Sequence, residues 1–470
     1  MGKAIVKNDR NNVKSMVEGS PMKLMLAFMI PLLLGNIFQQ AYSMVDGIIV
    51  GQILGSDALA AVGSSSSVQF LTLGLCIGAC AGFAIPVSQR FGAKDEEGMR
   101  RYVYHSIILS AAIAIIMTVL TAVLCKKILV IMQTPEHIFD DAYAYLIVIF
   151  LGIPFSILYN MAAGIFRAVG NSRMPFVFLA VAAILNIVLD YLFIAIMNMG
   201  VAGAGIATLL SQAISGILSV IYIWKRVPQL HLHKEDRKWS WQATARLLGV
   251  GLLMGMQYSI TAIGSMVMQS ANNSLGGVYV SAFTAAGKLK QLFMSPFDAM
   301  STALATFVGQ NYGALRMDRA KKGLNQMMLL ATSFGIVAGI VLILFGEPMS
   351  LLFLNAEDVG ALEASAAYLK ASGTMYWVLG ILNIARNAIQ ALGFSARAVV
   401  AGVIEMIART AMGLFLVPIW GYFAICWTDQ AAWVTATIYL VITVIKVFRQ
   451  RTNEVNAYIE KGQTFMPLES

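Results

Sequence analysis

The chain has 470 residues, of which 58% are hydrophobic and only 12% charged, and its mean hydropathy is +0.73. A water-soluble domain carries about 25% charged residues, so this composition excludes a water-facing globular surface for most of the chain and makes lipid its solvent. The apolar runs are continuous rather than alternating, which excludes a membrane β-barrel and leaves transmembrane helices.

The first twenty residues are polar and mixed in charge, without an apolar core, so no cleavable signal peptide is expected there. The first predicted span starts at about Pro21 and runs to about residue 48. Ala58 to Gln89, Tyr102 to Cys125 and Ala142 to Phe166 contain no Asp, Glu, Lys or Arg. Met174 to Trp224 holds one acid, Asp190, and breaks at Asn198-Met-Gly-Val-Ala-Gly into two helices. Leu247 to Gly287 is uncharged and breaks at Asn272-Asn-Ser-Leu-Gly-Gly, again giving two. Further spans fall near 323–346, 360–391, 397–417 and 422–446, which brings the total to twelve.

Orientation follows from the loop bases. With the N-terminus inside, the cytoplasmic segments hold nearly all of them, from Lys3, Lys7 and Arg10 through Arg90, Arg100 and Arg101, Arg167 and Arg173, Lys225 to Arg246, and Arg316 to Lys322, on to Lys446–Lys461; the outer loops hold only Lys126 and Lys127. The net charge of +9 is therefore a topology signal, and no nucleic-acid partner is expected. The basic clusters suit contact with anionic lipid headgroups. Both termini are expected in the cytoplasm.

The halves repeat. An offset of 221 places Leu54-Gly55 on Leu275-Gly276 and Gln89-Arg-Phe-Gly-Ala on Gln310-Asn-Tyr-Gly-Ala. An offset of 223 places Ala144-Tyr-Leu on Ala367-Tyr-Leu and Ala168-Val-Gly-Asn-Ser on Ala391-Leu-Gly-Phe-Ser. Six helices per half put the pseudo-two-fold axis along the membrane normal, a plan suited to alternating access. The expected organisation is a tail (1–20), a first six-helix lobe (21–226), a linker (227–241), a second lobe (242–450) and a tail (451–470). The stripe Gly74, Gly78, Gly82, matched by Ser295, Ala299, Ala303, reads as a helix-packing surface.

Pro31 with Met44-Val-Asp-Gly, Gln89-Arg-Phe-Gly-Ala, Phe166-Arg-Ala-Val-Gly-Asn-Ser, Asn186-Ile-Val-Leu-Asp190, Gly200-Val-Ala-Gly-Ala-Gly and Gly309-Gln-Asn-Tyr-Gly-Ala occur in this order over about residues 20 to 450. In this order they resemble the multidrug and toxic compound extrusion (MATE) transporters, and more closely the DinF-like branch. The resemblance implies an all-α fold of two six-helix bundles in the cytoplasmic membrane, exporting organic compounds against inward Na⁺ or H⁺, with no other cofactor and no enzymatic activity. It also implies a coupling site in the first lobe, at Asp46, Asn186, Asp190 and Thr208, with the backbone carbonyl of Ala204 as an addition.

The chemistry of these residues agrees with that implication. An acid inside a membrane helix costs roughly 2.5–3.5 kcal/mol on insertion scales, so it needs a partner or a purpose. Asn186 and Asp190 are four apart and share a helix face, and Asp46 lies deep in the first helix. Two carboxylates facing one cavity repel and are suited to hold a proton or exchange it for Na⁺. Pro31 removes a helix hydrogen bond and is a candidate hinge. The repeat puts Met266 opposite Asp46, Arg409 opposite Asn186 and Gly413 opposite Asp190, so symmetry alone does not demand the acids.

Candidate substrate-cavity residues are Gln39 and Tyr42 in the first lobe and Gln257, Asn383 and Arg386 in the second. The second lobe also carries Lys288, Lys290, Asp298, Glu405 and Arg409. Glu405 and Arg409 are spaced to pair, and Asp298 is suited to neutralise a base on another helix. Acids expected in the seventh and tenth helices of NorM-like members are replaced here by Gln257, Gln269, Asn383 and Arg386, and a net positive cavity would favour zwitterions or anions. No phosphate-binding Gly-rich loop appears, and the four cysteines have no metal spacing. A lipid-linked saccharide flippase of the same wider superfamily is the alternative reading, and a monomer is the expected state.

Overall fold

The computed structural model describes residues 13–132 and 134–462; Lys3, Lys7, Arg10 and the end of the expected C-terminal tail lie outside them. The described residues form twelve helical rods. The first lobe has α1 (Pro21–Leu54), α2 (Ser56–Gly92), α3 (Glu96–Ile131), α4 (Glu136–Leu151 continued by Ile153–Ala168), α5 (Arg173–Ile196) and α6 (Gly200–Arg226). The second has α7 (Trp241–Asn273), α8 (Gly277–Gly313), α9 (Met317–Ser350), α10 (Val359–Thr374 continued by Tyr376–Ala391), α11 (Ser395–Trp420) and α12 (Tyr422–Glu460).

Nine of these rods are long and apolar enough to cross a membrane, and α4, bent by 45° at Gly152, makes a tenth. The remaining two, α8 and α10, are more polar because they carry Lys288, Lys290, Asp298, Glu363, Lys370 and Arg386. Two extents differ from the sequence reading. α12 runs past residue 450 to Glu460, and the segment before α1 is packed against the protein, with Met16 only 2% exposed.

The repeat is visible in the backbone. Positive φ recurs at Gly55 and Gly276, at Gly170 and Gly393, at Gly200 and Gly421, and at Lys94 and Leu315, always 221 or 223 residues apart. Each lobe also has a π-helical turn in its fifth rod, Tyr191–Ile196 and Met412–Leu416. Such turns are rare and often mark functional segments; the first follows Asp190 directly.

The lobes meet along small residues. A Cβ on Gly78 would lie 2.8 Å from the Gly255 Cα, and one on Gly82 would lie 2.5 Å from the Gly251 Cα. The stripe read from sequence is thus where α2 packs on α7 across the lobes. Its counterpart on α8 meets α1, where the Asn36 side chain donates to the Ser295 carbonyl at 3.3 Å.

At one end the seam is sealed by a symmetric pair of glutamines. Gln89 Nε2 donates to the Ala391 carbonyl at 2.8 Å, and Gln310 Nε2 donates to the Ala168 carbonyl at 2.9 Å. Both side chains are fully buried. Ala168 and Ala391 are the last residues of α4 and α10, where helix carbonyls lack intrahelical partners, so each lobe caps a helix of the other. Gly92 and Gly313 permit the approach: a Cβ there would lie 1.9 Å from the Gln310 carbonyl and 1.8 Å from the Gln89 carbonyl, respectively. The N-terminal segment reinforces the seal, with the Met16 amide donating to Gln310 Oε1 at 2.8 Å and Arg319 donating to the Met16 and Gly19 carbonyls.

Candidate functional site

A cavity of about 320 Å³ opens inside the first lobe, among α1, α2, α4, α5 and α6. Pro31, Gln39, Tyr42, Asp46, Asn186 and Thr208 all line it. The apolar faces of α5 and α6 pack together and bring Asn186 to Thr208, whose hydroxyl accepts from Asn186 Nδ2 at 3.3 Å. Asp190, one turn beyond Asn186, is fully buried and near enough to Asp46 of α1 for each carboxyl to feel the other's charge. Ala204 is buried one turn before Thr208 on α6.

The oxygens of this cluster are unpaired. Among the described residues, Asp46 Oδ1, Asn186 Oδ1 and both carboxyl oxygens of Asp190 are buried and accept no hydrogen bond. Buried polar atoms are nearly always satisfied, so four orphans in one place require an explanation. Carboxylate and carbonyl oxygens are hard donors, so the set suits a proton or a small alkali cation.

Arg167 also lines the cavity. Sequence reasoning counted it among the cytoplasmic loop bases; the structure places it in the last turn of α4, inside the lobe. Its position at a helix end made the two readings indistinguishable from sequence.

The second lobe has a different interior. Lys290 Nζ lies 2.5 Å from Asp429 Oδ2 and 2.7 Å from the Tyr368 hydroxyl, which itself donates to Asp429 at 2.6 Å. Arg409 Nε donates to Asp429 Oδ1 at 3.1 Å. The expected pairing of Glu405 with Arg409 is present at 3.6 Å, and Glu405 is also bonded by Arg386. Asp298 makes no ion pair among the described residues, contrary to the neutralising role expected for it. Gln257 is held by Gln390 at 2.5 Å, and Asn383 donates to the Leu379 carbonyl at 3.2 Å. Gln257, Asn383 and Arg386 therefore stand in the second lobe and are not among the residues lining the first-lobe cavity. Sequence reasoning missed Asp429, although it is the lone charged residue between Tyr422 and Ile445, the same signal that singled out Asp190.

Two six-helix lobes, a small-residue seam between them and a buried acid cluster in one lobe define a polytopic membrane transporter. The family assignment agrees: the MatE family model matches residues 31–192 and again 254–415, one match per lobe, and the chain belongs to that family. It is a multi-pass protein of the cell membrane. Among its relatives, the Bacillus subtilis (strain 168) protein named "Probable multidrug resistance protein YpnP" is 30% identical over 83% of this chain and 86% of its own length. A Shewanella oneidensis protein named "FAD transporter" is 25% identical over 82% and 84%. Among solved structures, a MATE crystal structure in complex with MaL6 superposes with a TM-score of 0.84 at 22% identity, covering 95% of this chain and 98% of that one. A MOP superfamily transporter from Pyrococcus furiosus gives 0.83 at 22% identity, over 94% and 97%. These structures share the fold.

Proposed function

We propose that this transporter exports organic compounds by antiport with Na⁺ or H⁺, through alternating access between its two lobes. The coupling site is Asp46, Asn186, Asp190 and Thr208, with the Ala204 carbonyl completing the oxygen set. The observation that carries this reading is the cluster of four unpaired buried oxygens beside a cavity of about 320 Å³. Cation binding draws the α1 and α5 carboxyls together, and its release lets them part. Pro31 leaves the Ala27 carbonyl without its helix partner, so α1 can bend between Pro31 and Asp46 and change the cavity as the ion comes and goes. The organic substrate occupies the same cavity, against Gln39 and Tyr42. Acids on α1 and α5, with none at Gln257, Gln269, Asn383 and Arg386, support a DinF-like arrangement.

The distribution of loop bases supports a cytoplasmic N-terminus. The glutamine-sealed end then faces the cytoplasm, and the conformation is closed on that side. Lobes 21–226 and 242–450 are the moving bodies, joined by linker 227–241. Uptake of a fluorescent organic cation and of an anionic dye into inverted vesicles, under imposed Na⁺ and H⁺ gradients, tests the proposal. Gradient-dependent accumulation of either dye is expected, and its absence for both, with glycolipid translocation instead, would replace this reading by the flippase.

A further inference from the structure

The charged cluster in the second lobe is built on the positions equivalent to Gln69, Tyr145, Asn186 and Thr208 of the first, while the acids themselves are not repeated, since Met266 and Gly413 stand opposite Asp46 and Asp190 and the second-lobe carboxylate is Asp429. The backbone anchors fix the correspondence: Gly55 with Gly276 and Gly200 with Gly421 at an offset of 221, Gly170 with Gly393 at 223. On those offsets Gln69 matches Lys290, Tyr145 matches Tyr368, Asn186 matches Arg409 and Thr208 matches Asp429.

The contacts correspond as well. Asn186 on the fifth rod bonds Thr208 on the sixth at 3.3 Å, and Arg409 on the eleventh bonds Asp429 on the twelfth at 3.1 Å. Gln69 and Tyr145 both line the first-lobe cavity, and Lys290 meets the Tyr368 hydroxyl at 2.7 Å. What differs is charge. The first site joins two acids and leaves their oxygens open. In the second, both oxygens of Asp429 are taken, one by Lys290 and Tyr368, the other by Arg409.

We infer that the second lobe holds a self-occupied copy of the cation site, in which the Lys290 ammonium, tethered to α8, takes the position that a mobile Na⁺ or proton takes in the first lobe. A carboxylate in a membrane interior needs a compensating charge. In the first lobe that charge comes and goes with the transport cycle. In the second it is covalently attached, so the lobe stays loaded and exchanges no ion. The duplication thereby yields one exchanging site per chain, and the chain is left with a latent second one. Its ligand class is a monovalent cation, and two side chains suppress it.

The test places the first-lobe residues of two positions, Gln69 and Asn186, at their second-lobe equivalents. In a background carrying Asp46→Asn and Asp190→Asn, Lys290→Gln with Arg409→Asn uncovers Asp429. Purified full-length protein in detergent is assayed for equilibrium binding of radioactive Na⁺ and, separately, for proton uptake on acidification. The expected result is one cation gained per chain over the background, Na⁺ or H⁺, and its loss on adding Asp429→Asn. The inference is overturned if the folded variant gains neither ion. It is also overturned if the background already binds a cation that Asp429→Asn removes. Failure of the first-lobe site would show in a different arm, as an unchanged cation count between wild type and the Asp46→Asn, Asp190→Asn background.

A second measurement covers the case in which that variant fails to fold. Asp429→Asn alone strands Lys290 and should lower the thermal midpoint. Adding Lys290→Gln should recover most of the loss. No recovery would mean that Lys290 does not act as the counter-ion.

Discussion

Replacing Gln310 by Leu would cut the seam that holds the lobes together at one end. The side chain is fully buried and makes two cross-seam bonds, donating to the Ala168 carbonyl at 2.9 Å and accepting from the Met16 amide at 2.8 Å. Leucine keeps the bulk and leaves both partners unsatisfied. A stranded buried group costs about 1–3 kcal/mol. Once the seam parts, water reaches the Ala168 carbonyl and the penalty disappears, so the cost falls on the sealed state alone. Every 1.4 kcal/mol is a factor of about ten in an equilibrium, so the substitution should move the sealed-to-open ratio roughly ten-fold or more towards open. Gln89→Leu should act alike, because Gln89 caps Ala391 from the other lobe and also accepts from Arg246 at 3.3 Å. The assay is a distance distribution between spin labels at the exposed ends of α3 and α9, at Glu97 and Asp318, with the four buried cysteines replaced. A longer-distance population should grow in both variants. If both keep the wild-type distribution, the glutamine pair does not hold the seam.

Thr208→Val keeps the shape of the site but removes the hydroxyl that accepts from Asn186. Loss of one hydrogen-bonding ligand of about 1.4 kcal/mol should weaken the coupling ion's apparent affinity about ten-fold, read as a shift in the ion dependence of transport with little change in thermal midpoint. Glu405→Gln leaves Arg386 and Arg409, both under 10% exposed, with less compensation. Removing one partner of a buried ion network costs about 3–5 kcal/mol, so the detergent-solubilised midpoint should fall clearly. Glu97→Gln, in an exposed i,i+4 pair with Arg101, should leave the midpoint nearly unchanged.

The helical plan was legible because lipid enforces it: charge-free stretches, loop bases and the offset repeat all report on one solvent. The acid cluster was legible for the same reason, since Asp46 and Asp190 stand out in apolar helices, and the structure brings Asp46, Asn186 and Thr208 to one cavity with Asp190 behind them. Other features depended on packing that local sequence does not encode. Arg167 sits at the end of α4, where a base normally faces water, and only the fold shows that it points into the lobe. Gln89 and Gln310 look like ordinary polar helix ends until the opposite lobe's helix terminus is placed against them. The segment around Met16 reads as a free tail, yet its backbone amide completes the Gln310 contact. Asp429 was visible in principle, a single acid in an apolar run; what the sequence did not give was its partner Lys290, 139 residues away.

If the first-lobe acids couple an ion to export, uphill and downhill transport must separate when both are measured in one preparation. Wild type, Asp46→Asn and Asp190→Asn are reconstituted at equal density, and substrate flux is recorded with and without an ion gradient. Both variants should lose gradient-driven accumulation, while residual downhill exchange runs without dependence on the ion. Accumulation at the wild-type rate in both variants would contradict coupling through Asp46 and Asp190.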